Sequence, residues 1–174
     1  MIRLLTAFCL LFATTGGVAG EITGKVIAVA DGDTITVLIG HREIKVRLTE
    51  IDAPEKKQAF WSRSKQSLSD LCFGKTATLA EHGKDRYGRT LARVTCAGTD
   101  ANAVQVRRGM AWVYDRYVTD HSLYSVQADA KAARRGLWKD DQPVPPWEWR
   151  RIKRNTQSNL FEGGEFRVSG FSPI

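Results

Sequence analysis

Residues 43–48 alternate polar and apolar side chains, and the chain reaches a proline at position 54; this stretch constrains the fold more than any other. The apolar positions are Ile44, Val46 and Leu48, and Glu43, Lys45 and Arg47 alternate with them. A period of two is typical of a strand with one buried face. Because Pro54 lacks an N–H group and fixes its own φ, the hydrogen-bond ladder has to end before it. Asp52 and Glu55 therefore leave the sheet at its end, where polar side chains can converge on a ligand.

Two further strands precede this one. Residues 21–30 and 34–39 are rich in β-branched side chains and are separated by a tight turn, which predicts a three-strand meander. In an antiparallel pair, the start of one strand lies beside the end of the next. We therefore expect Asp33, at the start of the second strand, to face Asp52, at the end of the third.

The rest of the chain predicts a β-barrel packed with helices, an α+β fold. The expected elements are a helix over 57–71, strands over 76–80 and 90–95, a helix over 101–108 capped by Asp100, and a longer helix from Asp120 or Ser122 to Arg135. Five strands with helices after the third and fifth predict a five-stranded OB-fold barrel with about three packed helices.

Residues 1–20 have the composition of a secretory signal peptide. Arg3 gives a short basic start, an apolar run covers 4–13, and small residues lead to a cleavage site after Ala19 or Gly20. The apolar run is too short to span a membrane, which favours export over the alternative of an uncleaved anchor. We expect a periplasmic or secreted protein without membrane contact.

The composition changes after residue 138. Prolines at 143, 145 and 146 precede Trp147 and Trp149, which either pack on the long helix as a clasp or stack on bases. We assign residues 21–154 to one domain that includes this segment, and we expect residues 155–174 to form a flexible tail.

Charge and cysteine content fit an exported protein that acts on a polyanion. The formal net charge of +7 becomes +6 when Arg3 leaves with the signal peptide, and a basic surface suits nucleic acid. Cys9 also leaves, so Cys72 and Cys96 remain. An even pair in an exported chain indicates a disulfide, with two buried free thiols as the alternative.

Three polar segments carry the functional signal: 31–34 (Asp-Gly-Asp-Thr), 47–55 (Arg-Leu-Thr-Glu-Ile-Asp-Ala-Pro-Glu) and 85–89 (Asp-Arg-Tyr-Gly-Arg). Each alone is an ordinary turn or a solvated strand face. In this order and spacing they resemble the staphylococcal nuclease (thermonuclease) family, over about residues 22–138. The resemblance implies a barrel enzyme that hydrolyses phosphodiester bonds in DNA and RNA.

A hard divalent cation would neutralise charge on the phosphate during such a reaction. Asp33 and Asp52 are candidate ligands, with the Ala53 carbonyl as a third donor, and no Cys/His cluster has zinc spacing. The resemblance implies that the cation is Ca²⁺. The family has a threonine at the position of Ala53, but the expected donor there is a backbone carbonyl.

The resemblance also implies a catalytic set of Arg47, Glu55 and Arg89. A guanidinium binds phosphate through paired donors, and Glu55 can reach a water as a general base. Tyr87 matches a residue that contacts the nucleotide, and we add Arg86 and Tyr117 as candidate substrate contacts. Asp115 stands where the family has the first of two tyrosines, so this edge of the nucleotide site differs.

The sequence therefore predicts an exported, calcium-dependent nuclease that is monomeric and has no obligate protein partner. The alternative is a nucleic-acid-binding OB-fold module that has lost catalysis. Such modules usually lack several of the acidic and arginine positions that are present here. A module that binds oligosaccharide or protein would not explain the paired arginines.

Overall fold

A computed structural model describes the backbone of residues 21–162 and the side chains of residues 21–158. The strands are β1 (Ile22–Asp31), β2 (Thr34–Ile39), β3 (Arg42–Leu48), β4 (Ile51–Asp52), β5 (Thr76–Lys84), β6 (Thr90–Cys96), β7 (Thr99–Asp100) and β8 (Trp112–Val113). The helices are α1 (Trp61–Cys72), α2 (Ala101–Arg107), α3 (Ser122–Ala132) and α4 (Pro146–Glu162), with a 3-10 turn at Gly136–Lys139. The expected signal peptide lies outside the described residues. Within 21–162, no helix combines the length and apolar character that a membrane crossing requires.

The first three strands form the predicted meander. β1 pairs with β2 and β2 with β3, both antiparallel, and Thr34 lies opposite Arg47. β5 then pairs with β1, and β6 pairs with β5. A parallel pairing of Val46 with Thr90 joins β3 to β6 and closes the barrel. The expected five-stranded OB-fold barrel, formed by β1, β2, β3, β5 and β6, is confirmed.

Burial of apolar side chains inside the barrel and beneath α1 provides the main core. Its fully buried members include Val26, Ile35, Val46, Leu48, Leu68, Leu79 and Val94. A second cluster contains Trp112, Ala130, Leu137 and Trp138, with Phe60 and Trp147 packed against it. Because Trp112 pairs with Asp52 between β4 and β8, the second cluster connects this end of the barrel to Trp147 of the C-terminal segment.

Cys72 and Cys96 form the expected disulfide, with their Cα atoms 5.2 Å apart. Cys96 lies opposite Ala77 in the antiparallel pair of β5 and β6. The bridge therefore ties the end of α1 to the last residue of β6, as the hairpin geometry predicts.

The helix boundaries differ from those expected. α1 begins at Trp61 instead of residue 57, because Lys57 and Phe60 adopt positive φ values of 74° and 64° that interrupt a helix. α3 ends at Ala132, because Arg134 has a φ of 47°. At α2 the expectation holds closely, and the Asp100 side chain accepts a hydrogen bond from the Ala103 N–H as an N-cap.

The C-terminal segment forms a fourth helix that the sequence analysis did not predict. α4 starts at Pro146 and continues to Glu162, past residue 155, where we expected the tail to begin. Pro146 fits the first helical position, because its missing N–H is not needed there. Residues 163–174 of the expected tail lie outside the described residues.

Candidate active site

Arg47 lies at the end of β3 and connects the two predicted carboxylates. Its Nη2 atom is 2.9 Å from Asp52 Oδ1 and 3.1 Å from Asp33 Oδ2. Its Nη1 atom donates to the carbonyls of Leu48 and Ile51, at 2.6 and 3.0 Å. The β2–β3 register explains the cluster, because Thr34 opposite Arg47 places Asp33 beside this strand end. The structure thus brings together the carboxylates that the meander was expected to join.

The turn before Asp33 packs closely against α1. A Cβ atom on Gly32 would lie 1.7 Å from Ser64 Oγ and 2.9 Å from the Ala53 Cβ, so only glycine fits. The Gly32 carbonyl accepts a hydrogen bond from the buried Gln105 side chain at 2.7 Å. These contacts fix the backbone that presents Asp33 to the site.

Asp33 and Asp52 are both deeply buried, with 5% and 1% of their surface exposed. Burial raises the pKa of Asp33 to about 7, although the Arg47 charge opposes the rise. Burial also raises the pKa of Asp52, against the hydrogen bond from Arg150 and the charge of Arg47. Two carboxylates that are costly to ionise and lie close together are typical of a functional site.

Oxygen donors suitable for a hard cation lie within this cluster. The Ala53 N–H donates to Asp33 Oδ2 at 2.7 Å, so the peptide bond between Asp52 and Ala53 lies against the Asp33 carboxylate. Carboxylate and backbone carbonyl oxygens are the donor types that Ca²⁺ prefers. Within the described part of the chain, no group of three or more acidic, histidine or cysteine side chains is arranged to hold a metal. Asp33 and Asp52 offer oxygen donors of the type that a hard cation takes, and in this structure those oxygens contact Arg47, Arg150 and the Ala53 N–H.

Glu55 lies beyond Pro54 at the rim of this cluster, with 40% of its side chain exposed. Its N–H donates to the Gln58 side-chain oxygen at 2.9 Å, and Gln58 in turn donates to the Val144 carbonyl at 2.6 Å. Gln58 is 8% exposed. The turn that carries Glu55 is therefore attached to the segment that leads into α4.

Arg150 of α4 enters the site, which the sequence analysis missed. Its Nη2 atom is 2.7 Å from Asp52 Oδ2, and its Nη1 atom is 2.5 Å from Glu55 Oε1. Burial alone would lower its pKa, but the contacts with Asp52 and Glu55 raise the pKa further above its ordinary value. Pro146 at a helix start and Glu148 in its first turn were signals for α4, but no local pattern could have shown where Arg150 lies.

The remaining expected catalytic arginine lies on the hairpin between β5 and β6. Arg89 Nε donates to Asp85 Oδ2 at 2.7 Å. Arg89 directly precedes Thr90, which pairs with Val46, so its backbone lies beside the strand that carries Arg47.

The other expected substrate contacts are surface side chains. Tyr87 is 69% exposed, and the Arg86 guanidinium lies over its ring at 4.7 Å. Tyr117 is 54% exposed and meets Tyr114 edge to face at 5.1 Å. Trp147 stacks on the other ring of this pair, Tyr114, at 5.5 Å and an interplanar angle of 6°. Trp147 also packs against the second cluster, which includes Ala130 of α3, and this is the clasp alternative for one of the two tryptophans.

A closed OB-fold barrel with two carboxylates, an arginine and a glutamate at one end defines the class of protein. The family model described as "Staphylococcal nuclease homologue" matches residues 45–140. The chain is 47% identical over 153 residues to an uncharacterized endonuclease of Haemophilus influenzae, covering 87% of this chain and 86% of that protein. It is 43% identical over 146 residues to a micrococcal nuclease of Shigella flexneri, covering 78% and 84% of the two chains. The chain belongs to the staphylococcal nuclease family.

Proposed function

We propose that the protein is an exported, calcium-dependent nuclease that hydrolyses phosphodiester bonds in DNA and RNA. The observation that carries the proposal is the position of Arg47, within 3.1 Å of both buried carboxylates. A guanidinium fixed beside two carboxylates suits a phosphate that is held next to a hard cation, and the contacts of Arg47 support that arrangement. Relatives named as endonucleases and as a micrococcal nuclease support the same reaction class.

Arg47 is assigned to the nonbridging oxygens of the phosphate. The carbonyls of Leu48 and Ile51 orient its guanidinium, so little ordering is required when substrate binds. Asp33, Asp52 and the Ala53 carbonyl would hold Ca²⁺. When bound, the cation would supply charge neutralisation at the phosphate.

Glu55 is assigned to the attacking water. Its carboxylate is partly exposed at the rim, so water can reach it, and its backbone is fixed through Gln58. A carboxylate in this position can accept a proton as the water attacks. Arg89 is assigned to the leaving oxygen, where a charged donor stabilises developing negative charge. Tyr87, Arg86 and Tyr117 would contact the nucleotide, since exposed aromatic rings stack on bases irrespective of sequence.

Export is supported by the Cys72–Cys96 disulfide as well as by the signal-like residues 1–20. Disulfides persist in oxidising compartments and are rare in the cytosol. We place the mature protein in the periplasm or the medium, as a monomer.

The test is hydrolysis of single-stranded DNA, duplex DNA and RNA by the purified mature protein in calcium, with binding measured in parallel. The proposal expects cleavage of all three, and it expects Arg47→Ala to lose cleavage while Arg42→Ala, at an exposed position of the same strand, retains it. Binding without cleavage would instead support the non-catalytic module.

A further inference from the structure

α4 brings a second guanidinium to Asp52 from a distant part of the chain. Arg150 lies 98 positions from Asp52 in the sequence, yet its Nη2 atom is 2.7 Å from Asp52 Oδ2. Arg47 contacts the other oxygen, Oδ1, at 2.9 Å. Asp52 is therefore flanked by two arginines. Arg150 also spans to Glu55, so it joins the candidate cation ligand to the candidate base.

The position of Arg150 is fixed by packing around the first turn of α4. Trp147 stacks on Tyr114, and Gln58 holds both the Val144 carbonyl and the Glu55 N–H. The residue that orients the Glu55 turn thus also secures the start of α4. These contacts hold the start of α4 in place, so the packing of the helix directs Arg150 at the carboxylates.

Arg150 and Glu55 are both partly open to solvent at this cluster. The Arg150 side chain is 35% exposed, beside the 40% exposed Glu55. Arg151, Lys153 and Arg154 follow on α4 and are exposed, so positive charge continues along the helix from the site. A run of basic side chains leading to a carboxylate cluster suits a polyanionic chain whose phosphate enters that cluster.

We propose that Arg150 is a substrate-binding residue that contacts the phosphate at this site together with Arg47. A guanidinium that is directed at carboxylate oxygens presents the same paired donors that a phosphate accepts. This inference rests on the proposed function. It also extends the substrate site to α4, which lies outside the residues 45–140 that the family model matches.

The test measures binding of a short fluorescent single-stranded DNA in excess chelator, by anisotropy over a range of salt concentrations. Loss of a charge-assisted phosphate contact is expected to weaken binding about 10- to 100-fold in Arg150→Ala. It should also reduce the slope of log K against log salt by about 0.7, the value for one single-strand phosphate contact. The affinity of Arg150→Lys should lie between those of the wild type and Arg150→Ala, because lysine keeps the charge but lacks the paired donors of a guanidinium. Arg42→Ala, at an exposed position of β3, is the matched control for the loss of one positive charge and should change affinity less than about threefold.

Unchanged affinity and slope in Arg150→Ala would contradict the proposal. Tighter binding would also contradict it, and would mean that Arg150 blocks the site. Limited proteolysis checks that α4 remains docked in each variant. If α4 detaches in Arg150→Ala, the affinity of Arg150→Lys tests the proposal instead. Wild-type affinity in Arg150→Lys would overturn the assignment of paired donors to Arg150. Because neither metal nor cleavage enters this measurement, a wild-type protein that binds without cutting would refute the proposed function and leave this inference intact.

Discussion

The Ala53 N–H donates to Asp33 Oδ2 at 2.7 Å, across twenty positions of sequence. This bond joins the turn after β1 to the chain beyond β4, and it orients one carboxylate toward the other through Arg47. The metal assignment depends on this convergence, because neither aspartate alone could select a cation. Strand register and this hydrogen bond from a backbone N–H to a side chain bring the two carboxylates together beside Arg47.

Removal of either carboxylate should weaken calcium binding. Asp33→Asn and Asp52→Asn each keep the shape but remove a charged ligand, so each is expected to reduce calcium affinity by at least about tenfold. Isothermal titration of the substrate-free protein is the measurement. Asp70→Asn, at an exposed position of α1, is the control and should bind calcium like the wild type. Equal affinity in all variants would remove both residues from the cation site.

Glu50 should stabilise the fold through a buried carboxylate network. It is 3% exposed and accepts bonds from the Thr119 N–H, the Thr119 hydroxyl, the Asp120 N–H and Arg93. Glu50→Gln replaces one carboxylate oxygen with an NH₂ group, which donates hydrogen bonds and would face the N–H and O–H donors that Glu50 now accepts from. We expect a loss of about 2 kcal/mol in the free energy of unfolding, measured in urea. Glu43→Gln, at an exposed position of β3, should be neutral.

The effect of Glu50→Gln should depend on pH. Burial alone would raise the pKa of Glu50, but the bonds from Thr119 and Asp120 and the charge of Arg93 outweigh it and lower the pKa. A carboxyl with a lowered folded-state pKa stabilises the protein above its unfolded pKa, and that contribution is lost as the pH falls through the folded value. The stability difference between wild type and Glu50→Gln should therefore be largest at neutral pH and shrink in acid. A difference that grew in acid would contradict the network.

The disulfide should add stability mainly by restricting the unfolded chain. Cys72 and Cys96 are separated by 24 positions, and the chain-entropy account gives about 3 kcal/mol for a loop of this size. Urea unfolding of the protein with and without reductant is the measurement. Cys72→Ala/Cys96→Ala controls for effects of the reductant. Two reactive thiols in exported, denatured protein would refute the bridge.

Strand register made much of this site predictable. Asp33, Arg47 and Asp52 meet because antiparallel neighbours bring strand starts beside strand ends, which a period of two reveals. The Asp100 cap was predictable for a different reason, because a cap bonds within the first turn of its own helix.

The missed parts depend on contacts that are distant in sequence. The 3.6-residue pattern extended α1 back to Lys57, but the turn there holds Gln58 between Glu55 and Val144 with two positive φ values. Likewise, the prolines before α4 indicated a change of composition, but they gave no information on which residues α4 contacts. A bond over 98 positions, from Arg150 to Asp52, leaves no local periodic signal.

Substitutions at Arg89 and at Glu55 should change the kinetics of cleavage in different ways. Arg89→Lys keeps charge but loses the fork, so if Arg89 acts on the leaving oxygen, kcat should fall about 100- to 1,000-fold with little change in KM. Glu55→Gln removes the base and should flatten the acidic limb of the pH–rate profile. Steady-state kinetics on one oligonucleotide measures both, with Arg42→Lys as the control on an exposed strand position. Wild-type kcat in both variants would leave these residues as binding groups only.

Cleavage of single-stranded DNA in calcium and in excess chelator, by wild type and by Asp33→Asn, is the decisive comparison. The account predicts that wild type cuts in calcium and not in chelator, and that Asp33→Asn stays folded and does not cut in either. The carboxylates beside Arg47 would then be the cation site of a nuclease. Equal cutting by wild type in calcium and in excess chelator would contradict it.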